Sequence, residues 1–201
     1  MFSKPWYGDY ALTLDFGVKY PNILGLFGKT HEGIDFALPC GTPLISPANG
    51  TVTDVKHTLG GYGNHVYIKY GNVTVLFAHL SEYYVVKNQI ITLGQVIGKS
   101  GRTGLATGCH VHIGVIDPNA TYRKVKQWVD PKNYFNFTGQ PVAPTTEAQG
   151  NYTVRRGDTL WGIAQKYYGK GTDWPRIYEA NKTSIKDPSR IYPGQILIIP
   201  K

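Results

Sequence analysis

The chain has 201 residues, of which 41% are hydrophobic, 17% charged and 13% aromatic, a composition that is typical of a soluble globular protein and excludes an intrinsically disordered one. No apolar run approaches the roughly 18 residues that a membrane-spanning helix needs. The formal net charge of +8 would suit nucleic acid, an anionic membrane or an anionic cell wall, and charge cannot choose among them. Since no nucleic-acid-binding motif accompanies the charge, we expect no nucleic-acid partner and no membrane span, and we expect a monomer.

The first six residues, from Met1 to Trp6, contain one basic residue but neither an apolar segment nor a small-residue cleavage site. They therefore do not resemble a secretory signal, and work outside the cell would need another export route.

Short runs rich in Val, Ile, Tyr and Thr follow, and Gly-containing turns separate them. The clearest runs are Gly50–Val55, His65–Tyr70, Val73–His79 and His110–Ile116. This alternation of strand-forming runs and turns predicts an antiparallel β domain.

Histidines fall at informative positions in these runs, and imidazole is the commonest metal ligand in proteins. Two pairs have strand spacing: His31 with Asp35, and His110 with His112, while His79 follows another apolar run. Residues two or four apart on a strand point to one face, so each pair presents its donors on one side of a sheet. Two such strands side by side predict an open zinc site with three protein ligands, the arrangement expected for catalysis.

Glycine-rich motifs accompany these histidines in a fixed order. They are His31-Glu32-Gly33-Ile34-Asp35-Phe36, Gly41-Thr42-Pro43, Ala48-Asn49-Gly50-Thr51-Val52, Gly61-Tyr62-Gly63-Asn64, Ala78-His79-Leu80, Ser100-Gly101-Arg102-Thr103-Gly104 and Gly108-Cys109-His110-Val111-His112. Over residues 28 to 135 this set resembles the lysostaphin and LytM-type family of zinc metallopeptidases. The resemblance implies a two-sheet antiparallel β fold with a groove across the metal face. It also implies hydrolysis of a peptide bond in peptidoglycan, in the stem or the cross-bridge.

The family pattern makes His31, Asp35 and His112 the ligands of one zinc ion and makes His79 and His110 the catalytic histidines. Zinc polarises the scissile carbonyl and lowers the pKa of its water, while an imidazole takes the proton and returns it to the leaving amine. The sequence leaves open which of the two histidines is the base.

The family also often has a Tyr or a similar donor upstream of the first ligand. Tyr20, Asn22 and Phe27 lie in that stretch, and the sequence does not choose among them. The identity of the group that stabilises the oxyanion therefore stays open.

Cys40 and Cys109 are too few and too isolated for a disulfide framework or a thiolate zinc site, so we expect free thiols and unchanged behaviour in reducing buffer. A single disulfide is the alternative, since spacing cannot show whether the two Cα atoms lie within bonding range.

Two further histidines and two aspartates match no catalytic position of the family. We expect His57 and His65 at the surface or in cross-strand contacts. Asp54 and Asp117 are expected to be solvated turn or edge residues, because a catalytic carboxylate pair would need a second acid opposite.

A second domain follows a linker. Residues 139–150 are rich in Pro, Thr, Gly and Gln, which predicts a linker between a domain of residues 1–138 and one of residues 151–201. In the second domain Tyr152–Val154 and Ile196–Ile199 are predicted strands. Between them, two helices are expected in a β-α-α-β order.

The helix boundaries of this second domain follow from capping residues. The first helix carries apolar residues at helical spacing from Leu160 to Tyr168, with Asp158 or Thr159 as its N-cap and Gly169 as its terminator. The second begins near Thr172 or Asp173, has Pro175 in its first turn and runs to about Asn181.

Two segments of this domain, Tyr152 to Ala164 and Ile191 to Pro200, together with Asn181, resemble the LysM module. The resemblance implies binding of N-acetylglucosamine-containing glycan in a shallow groove between two loops. Mapped here, the groove residues are Gly157, Asp158, Thr159, Leu160, Asn181 and Ile191. An additional interpretation is that Leu160 is a core residue and Asp158 a helix cap.

Together these features predict a zinc endopeptidase that lyses bacterial cell walls and is targeted to peptidoglycan by its LysM module. Relatives that have lost the metal ligands serve as regulators, and a LysM protein can be a structural adhesin, so these remain the alternatives. The complete ligand and histidine set favours the enzyme. The absence of a signal-like segment suggests a phage lysin made in the cytoplasm and released at lysis, or alternatively a virion-associated hydrolase.

Overall fold

The computed structural model describes residues 1–20, 28–121, 127–139, 141, 148–182 and 184–200. The chain divides into two compact units, and the C-terminal one contains the described residues from Ala148 onward. Within the described ranges no helix is both long enough and apolar enough to cross a membrane.

The N-terminal unit is built from short strands and one 3₁₀ turn, Pro131–Asn133. Its strands are β1 (Phe2–Ser3), β2 (Leu12–Leu14), β3 (Ile34–Phe36), β4 (Pro43–Ile45), β5 (Gly50–His57), β6 (Asn64–Tyr70), β7 (Val73–Ala78), β8 (Glu82–Tyr83), β9 (Ile90–Ile91), β10 (Val96–Lys99), β11 (Val111–Ile116), β12 (Trp128–Val129) and β13 (Phe135–Asn136). The four runs predicted from residue pattern correspond to β5, β6, β7 and β11.

The main sheet has eight strands in the order β2-β3-β11-β7-β6-β5-β9, with β12 pairing alongside β11. A second sheet has the order β4-β10-β8, and β1 pairs with β13 in parallel. The pairings within the main sheet are antiparallel. The predicted antiparallel two-sheet fold is therefore confirmed, with one small parallel pair added.

The central strands are covered on both faces, which explains their nearly unbroken apolar sequences. In β11 every residue from Val111 to Val115 is buried, and β7 is buried except at Thr74. By contrast, buried and exposed side chains alternate near the end of β6, where Lys69 is exposed between the buried Ile68 and Tyr70. Strands that are packed on both sides hold their side chains in fixed positions, so β7 and β11 provide a rigid base for residues at their ends.

The N-terminal segment belongs to the core, which residue pattern did not predict. Trp6 is 1% exposed, and its ring centroid lies 4.8 Å from that of Phe36. Phe2 lies 5.2 Å from Phe135 across the parallel pair. Trp6 thus packs against β3, and Phe2 packs against β13.

The C-terminal unit has the predicted β-α-α-β order. Its elements are β14 (Ala148–Thr153), α1 (Leu160–Tyr168), α2 (Trp174–Asn181) and β15 (Ile196–Pro200). A 3₁₀ turn, Gly171–Asp173, precedes α2. Strand β14 begins at Ala148, so residues 148–150 of the predicted linker pair with β15. Residues 140 and 142–147 of that linker lie outside the described residues.

The helix caps follow the predicted chemistry. Thr159 is the N-cap of α1, with its hydroxyl accepting from Gly162 N at 3.0 Å, and Gly169 ends the helix at φ 73°. Pro175 lies in the first turn of α2. The buried faces of both helices pack with β14 and β15 around Leu160, Ile163, Ala164, Ile177, Ile185, Leu197 and Ile199. The fold of this unit is the one expected from its sequence.

Candidate active site

Three of the predicted site residues converge where β3 and β11 lie side by side. His31 precedes β3, Asp35 lies in β3, and His112 stands opposite Asp35 on β11. His31 Nε2 lies 3.1 Å from Asp35 Oδ1 and 3.0 Å from His112 Nδ1, and His112 Nδ1 lies 2.8 Å from Asp35 Oδ1. Ligands about 2.0–2.1 Å from a tetrahedral zinc would be roughly 3.3 Å apart, so this triangle of donor atoms fits one metal ion.

The tautomer of His31 is fixed by the backbone. His31 is fully buried, and its Nδ1–H donates to Asp15 O at 2.9 Å. That bond puts the proton on Nδ1 and leaves the lone pair of Nε2 facing the cluster. Metal-binding histidines are commonly held in this way by a carbonyl or carboxylate behind the ring.

His112 is held by packing instead. Its Nε2 is buried and has no hydrogen-bond partner within the described parts of the chain. The Tyr62 ring centroid lies 5.4 Å from the imidazole. On another side, a Cβ added at Gly33 would lie 2.7 Å from the His112 ring and 2.2 Å from Ile113 O. Only glycine fits at position 33 without displacing the ring.

The charge states of the cluster suit a cation. Burial raises the pKa of Asp35, but its close contacts with His112 and His31 outweigh the effect of burial and hold the pKa well below its usual range. Burial lowers the pKa of His112. Near neutral pH Asp35 is therefore a carboxylate and His112 a neutral imidazole, the protonation states in which these side chains bind metal.

The two other predicted histidines lie together beside this cluster. The ring centroids of His79 and His110 are 4.4 Å apart, and His110 Nε2 lies 4.0 Å from Asp35 Oδ2. His79 Nδ1–H donates to Thr103 O at 2.8 Å, and His110 Nδ1–H donates to Gly108 O at 2.9 Å. Both rings therefore keep an Nε2 lone pair that can accept a proton.

His79 has a backbone conformation that non-glycine residues rarely adopt, with φ 62°. Such a residue costs on the order of 1–3 kcal/mol and persists where its surroundings fix it. Here His79 N donates to Tyr62 O at 2.9 Å. Burial first, and then the charges of His110 and His112, lower the pKa of His79 to about 3, so its imidazole is neutral near neutral pH.

The loop that holds His79 is itself closely packed. Thr103 Oγ1 donates to Leu80 O at 2.8 Å and accepts from Asn64 N at 2.9 Å. Next to it, Gly104 has φ 72°, and a Cβ there would lie 2.3 Å from Gly63 N. The glycines of this region thus allow two loops to approach closely and fix the Thr103 carbonyl.

Two tyrosines border the cluster. The Tyr20 ring meets that of His31 edge-on at 5.3 Å, and Tyr62 O–H donates to Glu32 Oε2 at 2.6 Å. Burial raises the pKa of both phenols, so both remain proton donors near neutral pH. The sequence named Tyr20 only as one of three upstream candidates, and the other two lie outside the described residues.

The remaining singled-out residues have other partners. His57 is exposed and bonded to Asn64, Asp54 pairs with Lys56, and Asp117 accepts from Tyr134 O–H. His65 is 4% exposed, and its Nδ1–H donates to Gly63 O. Of the two expected placements for His65, the structure therefore shows the cross-strand one, in a pair with Lys56.

Cys40 and Cys109 form a disulfide, with their Cα atoms 5.2 Å apart. The expectation of free thiols was wrong, and the expected indifference to reduction loses its basis. The two residues are 69 positions apart in the chain, so spacing alone did not reveal the contact. The signal was the pairing of β3 with β11, because Cys40 follows the first strand and Cys109 precedes its antiparallel neighbour.

The glycan-binding candidates of the C-terminal unit differ in exposure. Gly157 and Thr159 are exposed and Asp158 is half-buried, with Asp158 Oδ2 accepting from Tyr152 O–H and Arg155 N, each at 2.7 Å. Leu160 is a core residue, and Ile191 packs partly buried against the same cluster.

Asn181 is 3% exposed. Its side-chain amide donates to Ile177 O and Ile198 O and accepts from Ile198 N. Asn181 therefore joins α2 to β15 from inside the unit.

Comparison with known proteins gives two family matches. Residues 29–131 match the model of peptidase family M23, and residues 152–200 match that of the LysM domain. Among curated relatives, the DD-carboxypeptidase/endopeptidase Mpg of Neisseria meningitidis is 43% identical over 152 residues, which cover 75% of this chain and 30% of that protein. This and similar curated relatives are much longer proteins, of which the chain spans between 18% and 46% of the length.

Solved structures agree with these matches. A mutant catalytic domain of the prophage-encoded M23 protein EnpA from Enterococcus faecalis is 32% identical with a TM-score of 0.53, over 65% of this chain and 96% of that one. The catalytic domain of lysostaphin from Staphylococcus simulans is 26% identical with a TM-score of 0.54, over 62% and 91%. The first family model covers just over half of the chain and includes the whole His-Asp-His cluster. The chain therefore belongs to peptidase family M23 and carries a LysM domain after the peptidase unit in the sequence.

Proposed function

We propose that this protein is a zinc-dependent endopeptidase that hydrolyses peptide bonds of bacterial peptidoglycan. The observation that carries the proposal is the convergence of His31, Asp35 and His112 on one point beside the adjacent rings of His79 and His110. Two imidazoles and a carboxylate with an open fourth position are a ligand set of catalytic zinc. A non-catalytic binder would have no use for the additional histidine pair.

In this proposal His31, Asp35 and His112 would hold the zinc ion, which when bound would polarise the scissile carbonyl and acidify the attacking water. His110 takes the proton of that water at Nε2 and delivers it to the leaving amine. The low pKa of His79 makes it a weak base, which supports assigning it to orienting the water by a hydrogen bond. The tautomers supplied by Gly108 O and Thr103 O support both roles.

Tyr20 is the proposed donor to the oxyanion that develops on the scissile carbonyl. Its position beside His31 supports the role, as does the raised pKa that burial gives its phenol. A donor aimed at the developing negative charge is worth about 2.7–4 kcal/mol in comparable sites.

We propose that the LysM domain binds N-acetylglucosamine-containing glycan of the wall. The exposed Gly157 and Thr159, with Asp158 and Ile191, are the proposed contacts. Leu160 and Asn181 are buried and support the two loops from the core. The Leu160 side chain packs in the hydrophobic cluster, and the Asn181 amide bonds to the backbone of β15.

The proposed place of action is the cell wall, reached when a phage lyses its host, with a virion-associated enzyme as the alternative. The similarity to a prophage-encoded M23 protein supports a phage source. The disulfide supports action in an oxidising environment outside the cytoplasm.

The experiment that tests the function is product analysis on two defined substrates. Purified peptidoglycan with direct D-Ala cross-links and peptidoglycan with pentaglycine bridges are each incubated with the zinc-loaded protein, and the products are identified by mass spectrometry. The 43% identity to a DD-carboxypeptidase/endopeptidase favours cleavage at D-Ala. New amino groups from neither substrate would contradict the proposed function, and release of intact disaccharides without peptide cleavage would make the protein a glycosidase.

A further inference from the structure

We propose that the Cys40–Cys109 disulfide positions His110 for proton transfer, and that breaking it disables turnover while leaving the metal site intact. The inference rests on the proposed function, in which His110 is the proton-transfer residue. It assigns the disulfide a role in catalysis in addition to any effect on the stability of the fold.

Cys40 lies in a turn that hydrogen bonds to Ser100 hold in place. Ser100, which is fully buried, donates through Oγ to Pro39 O at 2.6 Å and accepts there from Thr42 N at 3.0 Å. The backbones of residues 41 and 42 add bonds to Ser100, from Gly41 N to its carbonyl and from its amide to Thr42 O, both at 2.9 Å. The turn that carries Cys40 therefore keeps its position without help from the disulfide.

The other half lies in a loosely held loop. Thr107 and Gly108 are exposed, and a Cβ at Gly108 would meet nothing within 4 Å. Within the described stretch 100–121, residues 107–109 are held by the bond from His110 Nδ1 to Gly108 O and by the disulfide. The next backbone bond along the chain is from His110 N to Gly101 O at 3.1 Å. The covalent link from Cys109 to the fixed turn is thus the main restraint on this loop.

That restraint acts on the imidazole through Gly108. The carbonyl that accepts from His110 Nδ1 lies in the same loop, one residue before Cys109. If the loop moves, the ring loses the bond that fixes its tautomer and its orientation toward Asp35 and His79. Displacing a proton-transfer group by about 1 Å can cost on the order of a hundredfold in rate.

The metal ligands do not depend on this loop. His112 and Asp35 stand opposite each other in the β3–β11 ladder, which continues from Val111 to Ile113. His31 is held from behind by Asp15 O. Reduction should therefore separate the two parts of the site, with the metal retained and the proton transfer impaired.

Both sulfurs can be reached without unfolding, because Cys40 is exposed and Cys109 is half-exposed. A water-soluble phosphine breaks the S–S bond to give two thiols and is itself oxidised to the phosphine oxide, with its oxygen taken from water. A phosphine is preferred to a dithiol, since a dithiol would compete for zinc.

The test uses the full-length, zinc-loaded protein and a soluble peptidoglycan peptide. Rate constants, zinc content and circular dichroism are measured before and after treatment with tris(2-carboxyethyl)phosphine. We expect kcat to fall about tenfold to a hundredfold, with KM, zinc content and the spectrum unchanged. The Cys40→Ser/Cys109→Ser double variant should match the reduced protein without any reductant and should not respond to phosphine, which controls for metal stripping.

The His110→Ala variant distinguishes positioning from general support. Since His110 is absent there, reduction should leave its residual rate unchanged. An equal fold-loss in that variant, an unchanged kcat in reduced wild-type protein, or loss of zinc or of the folded spectrum on reduction would each overturn the proposal. An oxidised, zinc-loaded protein that cleaves nothing would instead overturn the proposed function itself, so the two failures are distinguishable.

Discussion

The four histidines of the site fall into two pairs, which differ in what their rings contact. His31 and His112 direct a nitrogen at Asp35 Oδ1, whereas the rings of His79 and His110 contact each other in a tilted arrangement with centroids 4.4 Å apart. In His31, His79 and His110 the other nitrogen, Nδ1, bonds to a backbone carbonyl. Backbone carbonyls thus fix the tautomers of three of the histidines. Because the two pairs contact different groups, we expect mutation to separate their roles.

Alanine substitution should separate metal binding from turnover. His112→Ala should lose zinc and activity together, because two remaining ligands hold zinc poorly. His79→Ala and His110→Ala should keep zinc and lose about a hundredfold or more of kcat. Zinc content by mass spectrometry and turnover of a soluble peptide are the measurements, with His57→Ala as the control. Zinc loss in His79→Ala as severe as in His112→Ala would contradict the division.

His65 should make the folded protein sensitive to acid. Burial lowers its pKa in the folded state below the usual value of 6.5, so below that pH the unfolded chain binds the proton more readily. The stabilisation is therefore complete above about pH 6.5 and is lost as pH falls. Between about pH 7.5 and pH 5 the free energy of unfolding of His65→Gln should drop less than that of wild type, as measured by urea titration. Equal drops in both proteins would show that His65 contributes nothing to the dependence.

At the scale of strands and loops, two glycines control different parts of the site. A Cβ at Gly33 would press on the His112 ring, and a Cβ at Gly104 would press on Gly63 N in the loop that holds His79 through Thr103. The same substitution should therefore have different consequences at the two positions.

Gly33→Ala should weaken zinc binding, and Gly104→Ala should lower kcat with zinc retained. Gly60→Ala is the matched control, because nothing lies within 4 Å of a Cβ there. Competition with a chromogenic chelator measures zinc affinity, and turnover is measured on a soluble peptide. Similar zinc affinities for Gly33→Ala and Gly60→Ala would contradict the packing explanation.

Local periodicity predicted those parts of the fold that depend on neighbouring residues. His31 and Asp35 lie together as expected, although His31 precedes β3 and does not share a strand with Asp35. Capping chemistry gave the ends of α1. The missed features depend on contacts between distant segments. The disulfide depends on the pairing of β3 with β11. The burial of Trp6 depends on its contacts with Phe36 and Phe137.

The whole molecule combines a peptidase unit with a LysM domain, and we propose that the second concentrates the first on its substrate. The proposed boundaries are a peptidase domain of residues 1–138, a linker from residue 139 to the start of β14 at Ala148, and the LysM domain after it. A linker of about that length would let both domains engage one wall, and linking two weak sites raises the apparent affinity.

A protein ending at Thr138 should fold, keep zinc and cleave soluble peptides at close to the full-length rate. On intact sacculi it should bind and lyse less, and the deficit should grow on dilution, because the effective concentration supplied by the linker is lost. Turbidity clearing and pelleting assays measure this. Equal lysis at high dilution would contradict the anchoring role, and failure on soluble peptides would place the boundary elsewhere.

The central claim is that one zinc ion at His31, Asp35 and His112 is required for cleavage of peptidoglycan peptide bonds. The most direct measurement is to strip the protein with a chelator, remove the chelator, and titrate zinc while following release of amino groups from purified peptidoglycan. We predict that the stripped protein releases no amino groups and that activity recovers fully at one zinc per chain. Full activity in the metal-free protein, or no recovery in a folded protein that has bound one zinc, would contradict it.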